Sequence, residues 1–295
     1  MDAIINIYKE KGFTSHDVVA KARGILKQRK IGHTGTLDPN ATGVLPICVG
    51  EATKIVSYLS DLDKSYEAEV ILGAYTTTED STGEIVESFP VNVTNDQILN
   101  VLKSFLGEYN QIPPMYSAIK INGQKLYELA RQNIIIDRPS RKVKIFDLLQ
   151  TQPFNNKTNT FKIKVTCSKG TYIRTLCTDI GHKLACGAYM GELIRTRVGN
   201  FDIKDSITLS ELEKHKLDLS KYLISLESMF LQYPKIIIDK NLNKFLYNGN
   251  PLTINIDAIE NAFFRVYDYL DHFVGLYKWK NNKLVVEKKF FRDNI

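Results

Sequence analysis

One stretch, GHTGTLDPNATGVLP from Gly32 to Pro46, says most about the fold and chemistry of this chain. We call it the signature loop. It is too polar, and too rich in glycine, threonine and proline, for a core helix or a buried strand. Its three glycines and two prolines favour a loop of fixed, non-repetitive conformation. Such loops commonly position functional side chains, and this one carries one carboxylate, Asp38, and one imidazole, His33.

Asp38, taken alone, has two interpretations. An aspartate before a proline in a turn commonly bonds to neighbouring backbone groups, which is a structural role. The alternative is a catalytic carboxylate. The sequence has no second acid nearby that suggests a glycosidase pair, and no calcium loop, zinc helix motif or phosphate loop. Its motifs therefore imply neither a metal nor a nucleotide cofactor.

Two further segments place reactive residue types at the ends of predicted strands. SKGTYIRTL, from Ser168 to Leu176, leaves a strand, crosses a glycine and enters a helix. Its Arg174 can grip a carboxylate with two hydrogen bonds, or can form a structural or surface ion pair. Tyr66 opens another strand, where a tyrosine is either a core-edge residue or a platform on which a base stacks.

The bulk properties are those of an ordinary globular protein, and 295 residues suffice for one large domain and a small one. No apolar run approaches the roughly 20 residues of a membrane span. The first residues also lack the pattern of an export signal, so we expect a cytoplasmic protein with no membrane partner. The four cysteines lack zinc-ligand spacing, and we expect reduced thiols that mostly fill the core.

The net charge of +6 permits a polyanionic partner without requiring one. The cations fall into three clusters beside aromatic residues, which fits a nucleic-acid footprint better than it fits three solvated faces. Any single cluster is more simply a solvated face. The clusters are Lys21, Arg23, Lys27, Arg29 and Lys30; Arg138, Arg141, Lys142 and Lys144; and Lys278, Lys280, Lys283, Lys288, Lys289 and Arg292.

Hydrophobic periodicity predicts a mixed α+β body. Apolar residues three and four apart indicate helices at about 15–26, 98–105 and 176–184. Alternation indicates strands at 66–72 and 161–167. After about residue 230 the pattern changes to short aromatic-rich strands at 263–267, 273–277 and 284–286, the last two joined through a turn at 281–282. We therefore expect a small all-β segment after the body.

Several separate segments, in the right order, resemble the TruB family of tRNA pseudouridine synthases. The resemblance covers residues 1 to about 230. Glu10 departs from the family pattern, which usually has proline there, and Ile194 replaces the first of two arginines; neither change touches Asp38. The matching segments are KGFTSHDVVAKAR (11–23), the signature loop, GEATKI (50–55), KSYEAEVILG (64–73), PPMYSAIKINGQKLYELAR (113–131), GTYIRTLCTDIG (170–181) and GELIRTRVGNF (191–201).

The resemblance implies an α+β pseudouridine synthase fold in residues 1–231, with a mixed, mainly antiparallel sheet and flanking helices. An RNA-gripping insertion is expected at about 114–145. Residues 232–295 resemble a PUA-type RNA-binding domain more weakly, the alternative being a small β domain with a packing role. The family also implies a monomer that binds the T stem-loop of tRNA and needs neither a cofactor nor a metal.

The implied reaction is the isomerisation of uridine 55 of tRNA to pseudouridine, for which the base must first leave its stack. By resemblance, Asp38 is the nucleophile, toward either the uracil ring or the ribose, and Arg174 is its ion-pair partner. Tyr66 would stack on the flipped uracil and take part in the proton transfer. Tyr172 and Leu193 would line the uracil pocket, and the backbone of Leu193 would read the polar edge of the base.

His33 would fill or organise the gap left by the flipped base; the alternative is an ordinary hydrogen-bonded loop histidine. Two other functions stay open at this point. A catalytically silent tRNA-binding and tRNA-folding module would need the basic surfaces only, and the presence of Asp38, Arg174 and Tyr66 argues against it. A guide-dependent synthase of the dyskerin type is disfavoured by the short chain without basic tails.

Overall fold

Strands dominate the computed structural model, which describes residues 1–121 and 123–290. In chain order they are β1 (Ala3–Lys9), β2 (Ile31–His33), β3 (Thr42–Val49), β4 (Lys64–Leu72), β5 (Ala74–Thr76), β6 (Ile85–Ser88), β7 (Gly107–Gln111), β8 (Lys120–Ile121), β9 (Gln124–Lys125), β10 (Arg141–Asn155), β11 (Thr160–Cys167), β12 (Ala188–Val198), β13 (Phe201–Asp202), β14 (Lys235–Ile237), β15 (Phe263–Tyr267), β16 (Phe273–Lys280) and β17 (Lys283–Lys289). The helices are α1 (Ser15–Leu26), α2 (Val56–Ser60), α3 (Asn95–Lys103), α4 (Leu126–Ala130), α5 (Ile173–Lys183), α6 (Leu209–Lys214) and α7 (Asn243–Tyr247).

The main sheet has nine strands, in the order β1-β3-β12-β4-β11-β10-β7, with β2 added to β3 and β13 added to β12. Within it, β12 and β3 pair in parallel, and the other described pairings are antiparallel. This confirms the expected mixed, mainly antiparallel sheet. Strands β4 and β12 lie at the centre of this sheet, so each has a neighbouring strand on both sides. These neighbours fix the positions of residues at the ends of β4 and β12.

The predicted helices are confirmed, and two of them begin earlier than the apolar pattern indicates. Helix α3 starts at Asn95 because Thr94 and Gln97 form a capping box that satisfies the first amides. Helix α5 starts at Ile173, directly after the glycine turn. Thr14 and Asp17 form the same kind of box at α1. Capping boxes thus set the starts of α1 and α3, whereas Tyr172 at the start of α5 makes no side-chain capping bond.

The small β domain follows the body, as predicted. Its sheet has the order β14-β15-β16-β17, and the turn between the last two strands contains Asn281 and Asn282, both with positive φ. The domain packs against the body, because Leu276 and Phe290 share one buried cluster with Ile4 of β1. Arg292, from the third basic cluster, lies outside the described residues.

Between β7 and β10 the chain leaves the main sheet and forms the β8–β9 hairpin and the short helix α4. It rejoins the sheet at Arg141. All four cysteines are free and buried, as expected from their spacing, and burial raises the pKa of Cys48 and Cys167 to about 12. Among residues 1–121 and 123–290, no helix has the length and apolar content needed to cross a bilayer.

The parallel contact between β3 and β12 depends on Gly43. This glycine has φ +106°, and a Cβ there would lie 2.2 Å from the carbonyl oxygen of Arg195. Both the conformation and the space therefore exclude a larger residue. The contact is where the signature loop enters the sheet.

We expect Gly43→Ala to lower the free energy of unfolding by about 2 kcal/mol or more, because the methyl group meets backbone that cannot move aside. Urea denaturation measures the loss. The matched control is Gly24→Ala in helix α1, where nothing lies within 4 Å of the new Cβ. That substitution is expected to be neutral or to stabilise by up to about 1 kcal/mol. Equal stability of the two variants would contradict this account.

Candidate active site

A cavity of about 710 Å³ opens where the signature loop, strands β4 and β12 and the first turn of α5 meet. Five of the six residues predicted from the sequence line it; the sixth, His33, does not. These five are Asp38, Tyr66, Tyr172, Arg174 and Leu193. Segments far apart in the chain thus converge on one site.

Asp38 and Arg174 form a bidentate ion pair. Nε of Arg174 lies 2.9 Å from Oδ2 of Asp38, and Nη2 donates to Oδ1 at 3.2 Å. The guanidinium is buried and also donates to the carbonyl oxygens of Thr78 and Tyr116 at 3.2 and 2.9 Å. Four acceptors therefore fix the arginine, and its fork geometry fixes the carboxylate. The structure brings together the two residues that the sequence placed in separate motifs.

The side chain of Asp38 accepts hydrogen bonds from Arg174, and within residues 1–121 and 123–290 it accepts none from a backbone amide. A purely structural turn aspartate would use its carboxylate to hold its own loop. The side chain also keeps 37% of its surface accessible while lining the cavity. The geometry therefore favours a reactive carboxylate over the turn-forming alternative.

Opposing effects set the pKa of Asp38. Burial raises it above its usual range, the positive charge of Arg174 lowers it, and the neighbouring carboxylate of Asp80 raises it. The net direction is upward. Asp80 itself lines the cavity, with Oδ2 4.0 Å from Nε of Arg174. The arginine thus partly offsets the effects of burial and of Asp80, both of which favour the neutral form of Asp38.

Tyr66 and Leu193 lie on adjacent strands of the sheet, and both are more than nine-tenths buried. Burial raises the pKa of Tyr66 to about 12, so its phenol is neutral at neutral pH. The pairing of β12 with β4 shifts register between Met190 and Leu193. The shift places Gly191 and Glu192 opposite the single residue Glu69, while Leu193 itself pairs with Ala68.

Tyr172 precedes α5 and is held by Gln111, the last residue of β7. The backbone amide of Tyr172 donates to Oε1 of Gln111 at 2.8 Å, and Nε2 of Gln111 donates back to the Tyr172 carbonyl at 3.0 Å. Gln111 is buried. Sequence reasoning missed this glutamine, since nothing in the pattern of β7 marks it as a support for the site.

His33 ends strand β2, outside the cavity lining. Its Nδ1 accepts a hydrogen bond from the amide of Gly35 at 3.3 Å. Burial lowers the pKa of its imidazole below the usual value, so the ring is neutral at neutral pH. Both of its predicted interpretations, a filler of the space left by the base and a hydrogen-bonded loop histidine, stay open in this position.

Two buried cations that the sequence did not single out hold the signature loop. Lys9, at the end of β1, donates from Nζ to the carbonyl oxygens of Phe13 and Pro39 at 2.7 and 3.0 Å. Arg195 of β12 donates to three loop carbonyls. Both side chains are fully buried. Arg195 stands in a segment that matches the family, but nothing in the sequence marks it or Lys9 as buried, because a charged residue in a strand is usually exposed.

Several members of the basic clusters are already engaged within the protein. In the first cluster, Lys30 pairs with Glu51 at 2.9 Å and Lys21 lies over the ring of Phe13. In the second, Lys142 pairs with Glu108 at 3.1 Å. The Lys142–Glu108 pair is exposed on both sides, where such bonds contribute little and exchange readily, whereas the Glu51 carboxylate that binds Lys30 is buried. They leave the clusters able to meet an anionic partner.

Comparison with family models gives two matches. Residues 23–173 match the model described as TruB family pseudouridylate synthase (N terminal domain), and residues 174–231 match that of the tRNA pseudouridylate synthase B C-terminal domain. A relative from Lachnoclostridium phytofermentans, named tRNA pseudouridine synthase B, is 50% identical, with 96% of this chain and 97% of the relative covered. A relative of the same name from Bacillus cytotoxicus is 44% identical, with 94% of this chain and 92% of the relative covered.

Two solved structures have the same fold over nearly the whole chain. The Cbf5-Nop10-Gar1 complex contains a chain with a TM-score of 0.72 and 28% identity, covering 98% of this chain and 85% of that one. An H/ACA RNP bound to a substrate RNA containing 2'-deoxyuridine contains one with a TM-score of 0.71 and 26% identity, covering 99% and 86%. These similarities include both the sheet that carries the cavity and the small β domain.

The electrostatics of the site predict opposite effects of two substitutions on the pKa of Asp38. Asp80→Asn removes a negative neighbour, so the pKa of Asp38 is expected to fall. Arg174→Gln removes the cation, so the pKa is expected to rise. The measurement is a pH titration of the Asp38 carboxyl carbon by NMR in protein labelled at aspartate, with Asp38→Asn used to assign the signal. Shifts in the same direction for both variants would contradict the charge arrangement.

Proposed function

The chain belongs to the TruB family of pseudouridylate synthases, and from that premise we propose that it isomerises uridine 55 in the T loop of tRNA with Asp38 as the nucleophile. The family membership makes it an isomerase that forms pseudouridine. The relatives' name supports tRNA as the substrate. The choice of uridine 55 and the roles of individual residues are the proposal.

The observation that carries the proposal is the bidentate Asp38–Arg174 pair on the wall of a cavity large enough to take a base. A nucleophile must be ionised, and burial opposes ionisation. The Arg174 guanidinium offsets that effect. It leaves part of the Asp38 carboxylate facing the cavity. This arrangement supports attack by Asp38 on a flipped uridine, at either the ring or the ribose.

The other cavity residues fit the remaining requirements of the reaction. Isomerisation breaks the bond between C1′ and N1, joins C1′ to C5, moves a proton off C5 and places one on N1. Nothing is oxidised or hydrolysed, so the balance needs no redox or nucleotide cofactor. Tyr66 offers a buried ring for stacking and an oxygen for the proton, and Leu193 offers backbone groups to the polar edge of uracil. Tyr172 closes the pocket from the start of α5.

RNA contacts outside the cavity are proposed for three regions. His33 would occupy or border the space that the base leaves, the segment 114–145 would close over the T loop, and residues 232–295 would act as a PUA-like RNA-binding domain after a catalytic domain in 1–231. The basic clusters supply cations for phosphates, so affinity for tRNA should fall as salt is added. A monomer, as the resemblance to the family implies, is part of the proposal.

The proposal is tested by tritium release from an unmodified tRNA transcript labelled at C5 of uracil. Wild-type protein is expected to release tritium from one uridine per tRNA, and to release none when uridine 55 is replaced by cytidine. Asp38→Asn should lose at least ~10⁴-fold in rate, as expected for a nucleophile, while it still binds the transcript. Bound RNA is measured by filter retention.

Asp205→Asn is the matched control, since Asp205 is exposed and does not line the cavity. It should keep wild-type activity. Undiminished activity of Asp38→Asn would refute the assignment of the nucleophile. A folded wild-type protein that binds the transcript without releasing tritium would favour the silent tRNA-folding module, and release that survives replacement of uridine 55 would point to another target.

A further inference from the structure

Arg195 is the largest fully buried side chain of the described residues, with 1% of its surface exposed. Its guanidinium joins the signature loop to the sheet through three backbone carbonyls. Nε donates to Val44 at 2.7 Å, Nη2 to Gly35 at 3.1 Å and Nη1 to Thr36 at 3.3 Å. These acceptors lie on both sides of Asp38 in the sequence, so one side chain ties the loop at its two ends.

Arg195 also lies beside Tyr66 in the sheet. Arg195 and Tyr66 are direct cross-strand partners on β12 and β4, and both line the cavity. A guanidinium has five N–H groups, and three serve the loop, which leaves two for other acceptors. The positive charge of Arg195 lowers the pKa of that phenol, against the larger opposing effect of burial.

A structural role alone would account for the three loop carbonyls. It would not account for a cation placed against the phenol, because a neutral amide could also hold carbonyls without the cost of burying a charge. A buried positive charge beside a phenol favours the phenolate. Other phenols line the cavity, among them that of Tyr172, but Arg195 is the cross-strand partner of Tyr66.

We propose that Arg195 is a positioning residue that sets the signature loop against Tyr66 and stabilises the Tyr66 phenolate while this oxygen takes the proton from C5 of the base. The inference rests on the proposed function and deepens it. It assigns a role in one step, the removal of the C5 proton, to a residue that does not touch the reacting carbon.

The step balances as follows. The Tyr66 phenol loses its proton to solvent, and Arg195 stabilises the resulting negative charge. After C1′ has bonded to C5, the phenolate oxygen takes the C5 proton, and the electron pair of that C–H bond restores the double bond of the ring. N1, released from C1′, takes a proton from solvent. Tyrosine and arginine end the cycle as they began it.

The test is a primary deuterium isotope effect at C5, measured in single turnovers with tRNA that carries either hydrogen or deuterium there. Arg195→Gln removes the charge and is expected to slow turnover by at least ~10-fold, the loss given by one pKa unit of lost stabilisation. Cleavage of the C5–H bond should then limit the rate of this variant. Its isotope effect is therefore expected to be at least about 2 and no smaller than that of the wild type. Transcript binding should change little.

Arg195→Lys keeps a positive charge with fewer donors and is the second variant, which stays informative if Arg195→Gln does not fold. It should lose less activity, with an isotope effect no smaller than that of the wild type. A slowed variant with an isotope effect near 1 would overturn the inference, because an earlier step would then be impaired. Undiminished rates would overturn it too. Inactive wild-type protein would instead refute the proposed function.

Discussion

Two buried cations hold the signature loop, and the position of Asp38 depends on them. The loop pairs with the sheet at its ends, through β2 and β3, but around Asp38 it is irregular and its carbonyls need other donors. Lys9 and Arg195 supply those donors from β1 and β12. Burial of a charge is costly, and here backbone carbonyls offset the cost. Burial also lowers the pKa of Lys9 to about 8, which shows how strongly this environment disfavours the charge.

The chemistry of the site also follows from burial. Burial raises the pKa of Asp38 and of Tyr66, and in each case an arginine acts in the opposite direction. Arg174 grips the carboxylate with two bonds, while Arg195 lies beside the phenol. Each arginine thus lowers the pKa of the acid beside it, although burial still keeps the Tyr66 phenol neutral at neutral pH.

The sequence predicted the parts of this molecule that follow local rules. Helices α1, α3 and α5, strands β4 and β11 and the small β domain all follow from hydrophobic periodicity and turn residues. Five cavity residues were found because they stand in separate motifs that resemble one family. Gln111, Lys9 and Arg195 were missed because their roles arise from tertiary contacts. A buried lysine at the end of a strand looks like an exposed one until its neighbours are known.

The central claim is that the uridine leaves its stack and meets Asp38 between Tyr66 and Leu193. The most direct measurement is a crystal structure of Asp38→Asn bound to a T stem-loop RNA with an unmodified uridine. The account predicts the uracil ring stacked on Tyr66, its polar edge at the Leu193 backbone, and the side chain at position 38 in contact with either the uracil ring or C1′ of the ribose. A uracil that stays within the T loop, or that occupies the cavity with the ring and ribose turned away from position 38, would contradict it.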